Sequence, residues 1–381
     1  MTTTLFQNGV RFQDESVQIT AASPTNRNVV VNGEMRIDQR NESQLTLNTT
    51  VNSYNTVDRW MSVGNTAGVF SMQQTNNKES GFGTQFTYPP GLHSFMHIDK
   101  TSTLAVLGAT HAYLFRQRIP YERTKKLKWG IADDSLTGNA GKGVTLSFWV
   151  KGTDYRQFGG SITNKFDGVN IMPKSFAFSF DILTPYTWEH KKIYIPPPPL
   201  LTTQFVPDGW ANSTVGMYLN FSLGVGTSRR CPVANKETWQ SAEYYDVVDT
   251  SGWPAYVEFY NSYIQFSGVQ IEEGNWQSDP TIGNYEQLDM AVEFAECQRY
   301  FIRTTGSNRG YAPATNHIIN TVIAYQPMRA TPTGVVVAGS RNNAVVGLNI
   351  QTNGAITNVM TCALASTGLA EGDIILLSAE I

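Results

Sequence analysis

The chain has 381 residues, with 28 Lys and Arg against 31 Asp and Glu, giving a formal net charge of -3. Charged residues make up only 15% and aromatic residues 12%, which argues against a disordered chain and against a polybasic surface for nucleic acid or an anionic membrane. At a nominal ~150 residues per domain, the length allows two domains, or one large domain with appendages.

Residues 1–28 are polar and aperiodic, with strand-like fragments at Val10 to Phe12 and Val17 to Thr20. A ribbon of that size buries no core of its own, so it reads as an extended arm lying on something else, such as another subunit. Its opening, MTTTLFQNGV, has neither the basic segment nor the apolar stretch of a signal peptide. No run approaches the ~18 apolar residues of a membrane helix. The three cysteines, Cys231, Cys297 and Cys362, are odd in number and lack CxxC spacing. They read as buried or half-buried thiols of a chain made in a reducing cytosol, rather than as a disulfide scaffold or a zinc site.

From residue 29 to 283 the pattern alternates with period two, bounded by Gly, Pro, Asn and Asp. In chain order the predicted strands are Val57 to Val63, Gly68 to Gln74, Thr103 to Leu107, His111 to Ile119, Val144 to Lys151, Ser175 to Phe180, Thr187 to Ile195, Val215 to Leu223, Tyr256 to Tyr260 and Tyr263 to Ile271. Val144, Leu146, Phe148 and Val150 share one face of their strand, and Thr145, Ser147, Trp149 and Lys151 the other. Val215, Met217, Leu219, Phe221 and Leu223 separate in the same way from Tyr218, Asn220 and Ser222. One apolar and one wet face belong to antiparallel sheets. The fold class is therefore all-β, built as a sandwich, jelly roll or barrel.

The period changes once. Leu288, Ala291, Val292 and Ala295 follow helical spacing, and Asn284 with Gln287 suggests a capping box, so a short helix from Tyr285 to Cys297 is predicted, leading into a strand at Arg299 to Ile302. This 284–303 piece is read as a link. Residues 304–381 return to strands at His317 to Ala324, Gly334 to Ala338, Ala344 to Ile350, Ala355 to Met360 and Asp373 to Ser378, enough for a smaller C-terminal β-domain.

Chemistry is sparsely signposted. His93 and His97 lack the glutamate and helical setting of a zincin motif, and no nucleophile elbow, P-loop or dinucleotide fingerprint is present. The acids Asp133, Asp134, Asp246, Asp249, Glu272 and Glu273 could serve a glycosidase only if two faced each other across a cleft, which sequence does not establish. Carbohydrate binding asks for less: flat rings to stack on sugar faces, with amides, hydroxyls and charges beside them. The inferred wet face offers Trp149, Lys151, Tyr218 and Asn220 next to the small residues Ser175, Ala177 and Ser179, as one groove. Loop aromatics Trp210, Trp239, Tyr244, Tyr245 and Trp253 are second candidates. Asp58 and Glu272, near inferred strand ends, are candidate ligands for a structural calcium. No other cofactor is expected.

An ordered series of segments, VVNGEMRIDQR from Val30 to Arg40, Asp58-Arg59-Trp60, VTLSFWV from Val144 to Val150, GVQIEEG from Gly268 to Gly274, Tyr285-Glu286 and CQRYF from Cys297 to Phe301, resembles bacteriophage and algal-virus virion proteins of the tail-fibre, tail-spike and capsid-fibre kind. The central module of such proteins is similar to carbohydrate-binding jelly rolls. The resemblance implies a jelly-roll β-sandwich, display on the virion surface as a homotrimer, docking to other virion proteins through the N-terminal arm, and contact with host surface glycans, without enzymatic activity. A polysaccharide depolymerase of a tail spike, or a purely architectural capsid cement protein, are the alternatives.

Overall fold

The computed structural model describes residues 4–6, 9–11, 17–18, 27–40, 46–47, 53–54, 57–76, 87–102, 107–129, 141–164, 173–199, 215–247, 262–311, 318–324, 327–337, 340–342, 344–350, 355–362 and 367–380. The N-terminal ribbon is β1 (Thr4–Phe6), β2 (Gly9–Arg11) and β3 (Val17–Gln18), paired in that order. The main body comprises β4 (Thr46–Leu47), β5 (Trp60–Val63), β6 (Phe70–Asn76), β7 (Ser94–Lys100), β8 (Ala112–Pro120), β9 (Val144–Gly152), β10 (Arg156–Thr163), β11 (Ser175–Ile182), β12 (Glu189–Ile195), β13 (Val215–Val225), β14 (Trp239–Gln240) and β15 (Tyr263–Glu273), with a one-turn helix α1 at Tyr121–Thr124.

These strands form two six-stranded antiparallel sheets, β14-β11-β10-β13-β8-β5 and β12-β9-β15-β7-β6-β4. Strands distant in sequence lie side by side in each sheet, which is the jelly-roll arrangement. The apolar faces named above meet between the sheets. Phe148 of β9 lies 5.0 Å from Phe221 of β13 and 4.9 Å from Phe180 of β11, and Phe266 of β15 lies 4.5 Å from Phe221. Trp60 stacks on Phe115 at 4.5 Å.

The outer faces differ from expectation. They are polar, yet mostly dry: Thr145, Ser147, Lys151, Ser161, Asn220, Gln265 and Ser267 are all buried. Connections between strands cross both outer faces and carry hydrogen-bond partners to them, such as the Ala242 carbonyl accepting from Ser175 Oγ. Within the sandwich, β4, β7, β10 and β14 escaped the sequence pattern, as did the short β1 and a short strand at Ser340–Asn342 outside it. The segments Thr103 to Leu107, apart from Leu107 itself, and Tyr256 to Tyr260 lie outside the described residues.

Residues 28–40 close the sandwich. Asn28 donates from Nδ2 to the Val269 carbonyl at 3.0 Å, and its Oδ1 accepts from the backbone of Val30 and Ile271 at 2.9 and 3.0 Å. This side chain fills a bulge in β15 between Ser267 and Gln270, where Gly268 takes φ +57°. A Cβ on Gly33 would collide with the Val269 carbonyl oxygen, whose own amide donates to Gly33 at 2.8 Å. The sandwich thus begins no later than Arg27, just inside the arm expected over residues 1–28.

The linking helix α2 spans Met290–Gln298, five residues later at its start than expected. Asp289 is its N-cap, accepting from the Ala291 amide at 2.8 Å. Asn284 and Gln287 are occupied elsewhere: Asn284 Oδ1 accepts from Lys192 Nζ, and Gln287 Nε2 donates to Glu34. Strand β16 (Phe301–Tyr311) then runs unbroken past residue 304 into the C-terminal part. There β17 (Ile318–Ala324), β18 (Thr333–Val337), β19 (Ser340–Asn342), β20 (Ala344–Ile350), β21 (Ala355–Cys362) and β22 (Thr367–Ser378) form two small sheets, β16-β22-β18 with β19 on β22, and β17-β21-β20. Cys231 and Cys297 are buried free thiols.

Replacing Asn28 with Ala strips one buried carbonyl and two buried amides of their partners. The expected loss is about 2–4 kcal/mol of unfolding free energy in urea denaturation, and a loss under about 0.5 kcal/mol would contradict the closure described.

Candidate functional site

The predicted quartet does not form one groove. Trp149 and Lys151 lie on the outer face of the β12-β9-β15 sheet, whereas Tyr218 and Asn220 lie on the outer face of the other sheet, with the whole core between them. Period-two alternation separates inward from outward residues but does not say which sheet a strand joins. Lys151 is 1% exposed and Asn220 0%, so neither meets solvent. Lys151 Nζ sits 5.3 Å from the Trp188 ring, and burial brings its pKa down to about 8. Asn220 Oδ1 accepts from Arg116 Nε at 2.5 Å. Trp149 and Tyr218 are half-buried.

The two calcium candidates are likewise apart, and each serves the protein's own donors. Asp58 accepts from the Gln39 backbone at 3.1 Å and from Gln39 Nε2 at 2.5 Å, with Arg40 at 4.0 Å; burial raises its pKa to about 7 against those partners. Glu272 accepts from Gln270 Nε2 at 2.8 Å and from the Gly283 amide, and pairs with Arg27 at 3.1 Å. No group of three or more His, Cys, Asp or Glu poised for a metal occurs among the described residues. Nor do the proposed acids form a free pair: Asp246 accepts from Ser222 Oγ, Glu273 pairs with Lys142, and Asp133, Asp134 and Asp249 lie outside the described residues. Of the loop aromatics, Trp239 packs on Trp129 and Phe176 and donates to the Pro196 carbonyl, and Tyr244 and Tyr245 belong to the loop over the first sheet. Trp210 and Trp253 lie outside the described residues.

A large concavity lies where the two sheets part. Among the described residues, strand β12 ends its sheet, and β11 is covered by β14 only at Ser175 and Phe176, with no further strand along Ala177 to Ile182. Between them opens a cleft of about 780 Å³, lined on one side by Phe176, Ser179, Phe180 and Asp181, on the other by His190 to Tyr194, and closed by Pro196, Glu237, Trp276 and Gln277. Its size falls within the ~300–1,000 Å³ typical of small-molecule sites.

Its chemistry is mixed in a particular way. Aromatic rings of Phe180, Tyr194 and Trp276 stand among Lys191, Asp181 and Gln277. Lys192 Nζ is held by the Pro280 and Ile282 carbonyls at 3.0 and 2.8 Å, and Lys191 by Glu189 at 2.6 Å, so both ammonium positions are fixed. His190 stacks on Trp149 at 4.8 Å and 23°. Burial, aided by Lys192, lowers its pKa to about 4, so the imidazole is neutral at pH 7 and can donate and accept. Trp149 is therefore a buttress beneath a cleft residue. Three buried polar atoms of residues lining the cleft, Ser179 Oγ, His190 Nε2 and Trp276 Nε1, have no hydrogen-bond partner. Such unpartnered atoms are uncommon in folded proteins and mark where an outside partner would be rewarded.

No protein-family model matches the chain, and no curated protein does. Among solved structures, the enzymatically active domain of a tailspike protein from bacteriophage CBA120 is similar at 12% identity and a TM-score of 0.30, over 65% of this chain and 22% of that one. A family 4 carbohydrate-binding module is similar at 14% identity and a TM-score of 0.28, over 64% of this chain and 98% of that one. A family 11 carbohydrate-binding module from Clostridium thermocellum, solved with a mixed-linked tetrasaccharide, is similar at 10% and 0.26, over 64% and 98%. This chain thus spans about a fifth of the tailspike domain. Scores this low leave the jelly-roll assignment resting on the strand order itself.

A buried imidazole makes the protein's acid response testable. His97, on β7, contacts Gln265 Nε2 through Nδ1 at 2.9 Å and lies 5.1 Å from the Tyr263 ring; burial and Lys151 lower its pKa from 6.5 to about 4. Below pH 6.5 the unfolded chain holds more protons than the folded one, so this group's contribution is complete above pH 6.5 and is lost as pH falls towards 4. Asp58 and Glu293, both raised to about 7 by burial, act in the opposite sense, so the informative quantity is the difference between variant and wild type. His97→Gln should lose about 2 kcal/mol less stability than wild type between pH 7 and 4.5, at about 1.4 kcal/mol per pH unit of separation. Superimposable stability profiles would contradict the assignment.

Proposed function

We propose that this chain is a non-enzymatic structural protein of a phage or related virus, displayed on the virion surface, that adheres to host surface glycans through the cleft between β11 and β12. What supports the glycan reading is one observation: a cleft of about 780 Å³ that combines aromatic rings with fixed polar groups and three buried polar atoms without a partner, Ser179 Oγ, His190 Nε2 and Trp276 Nε1. Sugars present this pairing of needs, apolar C–H faces beside hydroxyls that accept and donate. The virion setting is supported by the ordered sequence resemblance. In this reading residues 1–26 dock the protein to other virion proteins, and a homotrimer makes weak individual sites useful through high effective concentration.

The test is an array of bacterial surface glycans probed with wild type and Trp276→Ala, alongside an assay for new reducing ends. Wild type should bind at least one glycan class without cleaving it, and Trp276→Ala should bind about tenfold or more weakly. Binding by neither protein would favour an architectural cement role, and steady release of reducing ends would favour a depolymerase. Particles assembled with a chain lacking residues 1–26 should be without this protein; normal incorporation would refute the docking role.

A further inference from the structure

On the outer face of the other sheet lies a second, smaller cavity of about 110 Å³, lined by Arg116, Arg118, Thr163, Lys174, Tyr218 and Glu243 among others. Antiparallel register assembles it. Tyr218 of β13 pairs with Arg118 of β8 on one side and Thr163 of β10 on the other, and Asn220 pairs with Arg116. Three cations converge here in a protein whose formal net charge is -3.

Lys174 is the informative residue. It is 4% exposed, and its ammonium makes a single hydrogen bond, 3.4 Å long, to the Pro199 carbonyl. An ammonium carries three donors. A buried cation with donors to spare, lining a cavity, calls for an anion, because burying charge without a partner is costly. Glu243, the carboxylate lining the cavity, is already engaged by Arg229 and by the Tyr245 hydroxyl. Arg116 is held in place by Asn220 through Nε and by a side-chain hydrogen bond with the Tyr245 hydroxyl, with its guanidinium 5.1 Å from the rings of both Tyr218 and Tyr245. A guanidinium carries five N–H donors, so one fixed in this way keeps donors for an anionic oxygen.

We infer that this cavity binds the carboxylate of an acidic saccharide, such as a uronate residue. Its volume equals roughly three to four water molecules at about 30 Å³ each, enough for a carboxylate and the ring atoms next to it. The carboxylate site is separate from the cleft between β11 and β12, and its assignment to a saccharide rests on the glycan reading given above.

Calorimetric titration of the full chain with oligogalacturonate, its neutral reduced counterpart, and sodium sulfate tests the inference. Oligogalacturonate should bind wild type, at least tenfold more weakly at 0.5 M than at 0.05 M NaCl, and Lys174→Met should lower its affinity at least tenfold while the thermal midpoint stays within a few degrees. If Lys174→Met unfolds, the salt dependence and the preference for the acidic over the neutral oligomer in wild type still decide. Equal binding of acidic and neutral oligomers, no binding of either, or sulfate binding as tightly as oligogalacturonate would each overturn it.

Discussion

The carboxamide of Asn28 and the bulge it fills in β15 set the geometry on which the rest depends. Because Asn28 satisfies both Ile271 and Val269, β15 can carry an extra residue at Gly268 and Val269 and still close the sheet between β7 and β9. The same segment turns at Asn32 and Gly33, where Asn32 Nδ2 donates to the carbonyls of Ile37 and Asp58, and Trp60 Nε1 donates to the Asn32 carbonyl at 3.0 Å. Beyond the bulge, Glu272 holds Gly283, so the excursion from 274 to 283 folds back over β12 and delivers Trp276 and Gln277 to the cleft. A buried polar network of this kind is stabilising only when its members are satisfied together. Near the other end, Arg59 pairs with Glu380, and Arg40 with the same carboxylate at 2.7 Å, tying the last described residue to the sandwich.

This explains what the sequence resemblance consists of. Its segments supply Asn32, Gly33, Asp58, Arg59, Trp60, Gly268 and Glu272, which are joints of the framework: Trp60 is wholly buried, and Gly33 and Gly268 permit close approach and a left-handed turn. Trp149, also in the series, supports His190 from beneath. Residues that build a fold can recur without the residues that read a ligand, and neither the cleft's Ser179 and Trp276 nor the second cavity's Lys174 falls within the series.

Much of the sandwich was legible because Phe148, Phe178, Phe221 and Phe266 fall on alternating positions facing one core. Strand β10 escaped because Gly159 and Gly160 interrupt its apolar rhythm; a Cβ at Gly160 would strike Phe178 and the Asn220 carbonyl. The helix start was misplaced because Asn284 and Gln287 have the spacing of a capping box while their side chains bond Lys192 and Glu34, partners far away in sequence. The site was less legible for a related reason. Alternation tells which residues point outward, but the grouping of Trp149 with Tyr218 needed the strand order across two sheets, and the cleft exists only because β14 is too short to cover β11. Polar outward residues also proved to be buried, since a sheet face can be roofed by loops that local periodicity does not reveal.

Hydrogen exchange measured with and without a bound bacterial surface glycan reports most directly on the central claim, that the open edge between β11 and β12 is where the protein holds sugar. The account requires slowed exchange concentrated in the peptides spanning 177–195 and 274–283, with the backbone around the β15 bulge unchanged because it is already closed. Protection confined to other surfaces, or none at saturating glycan, would contradict it.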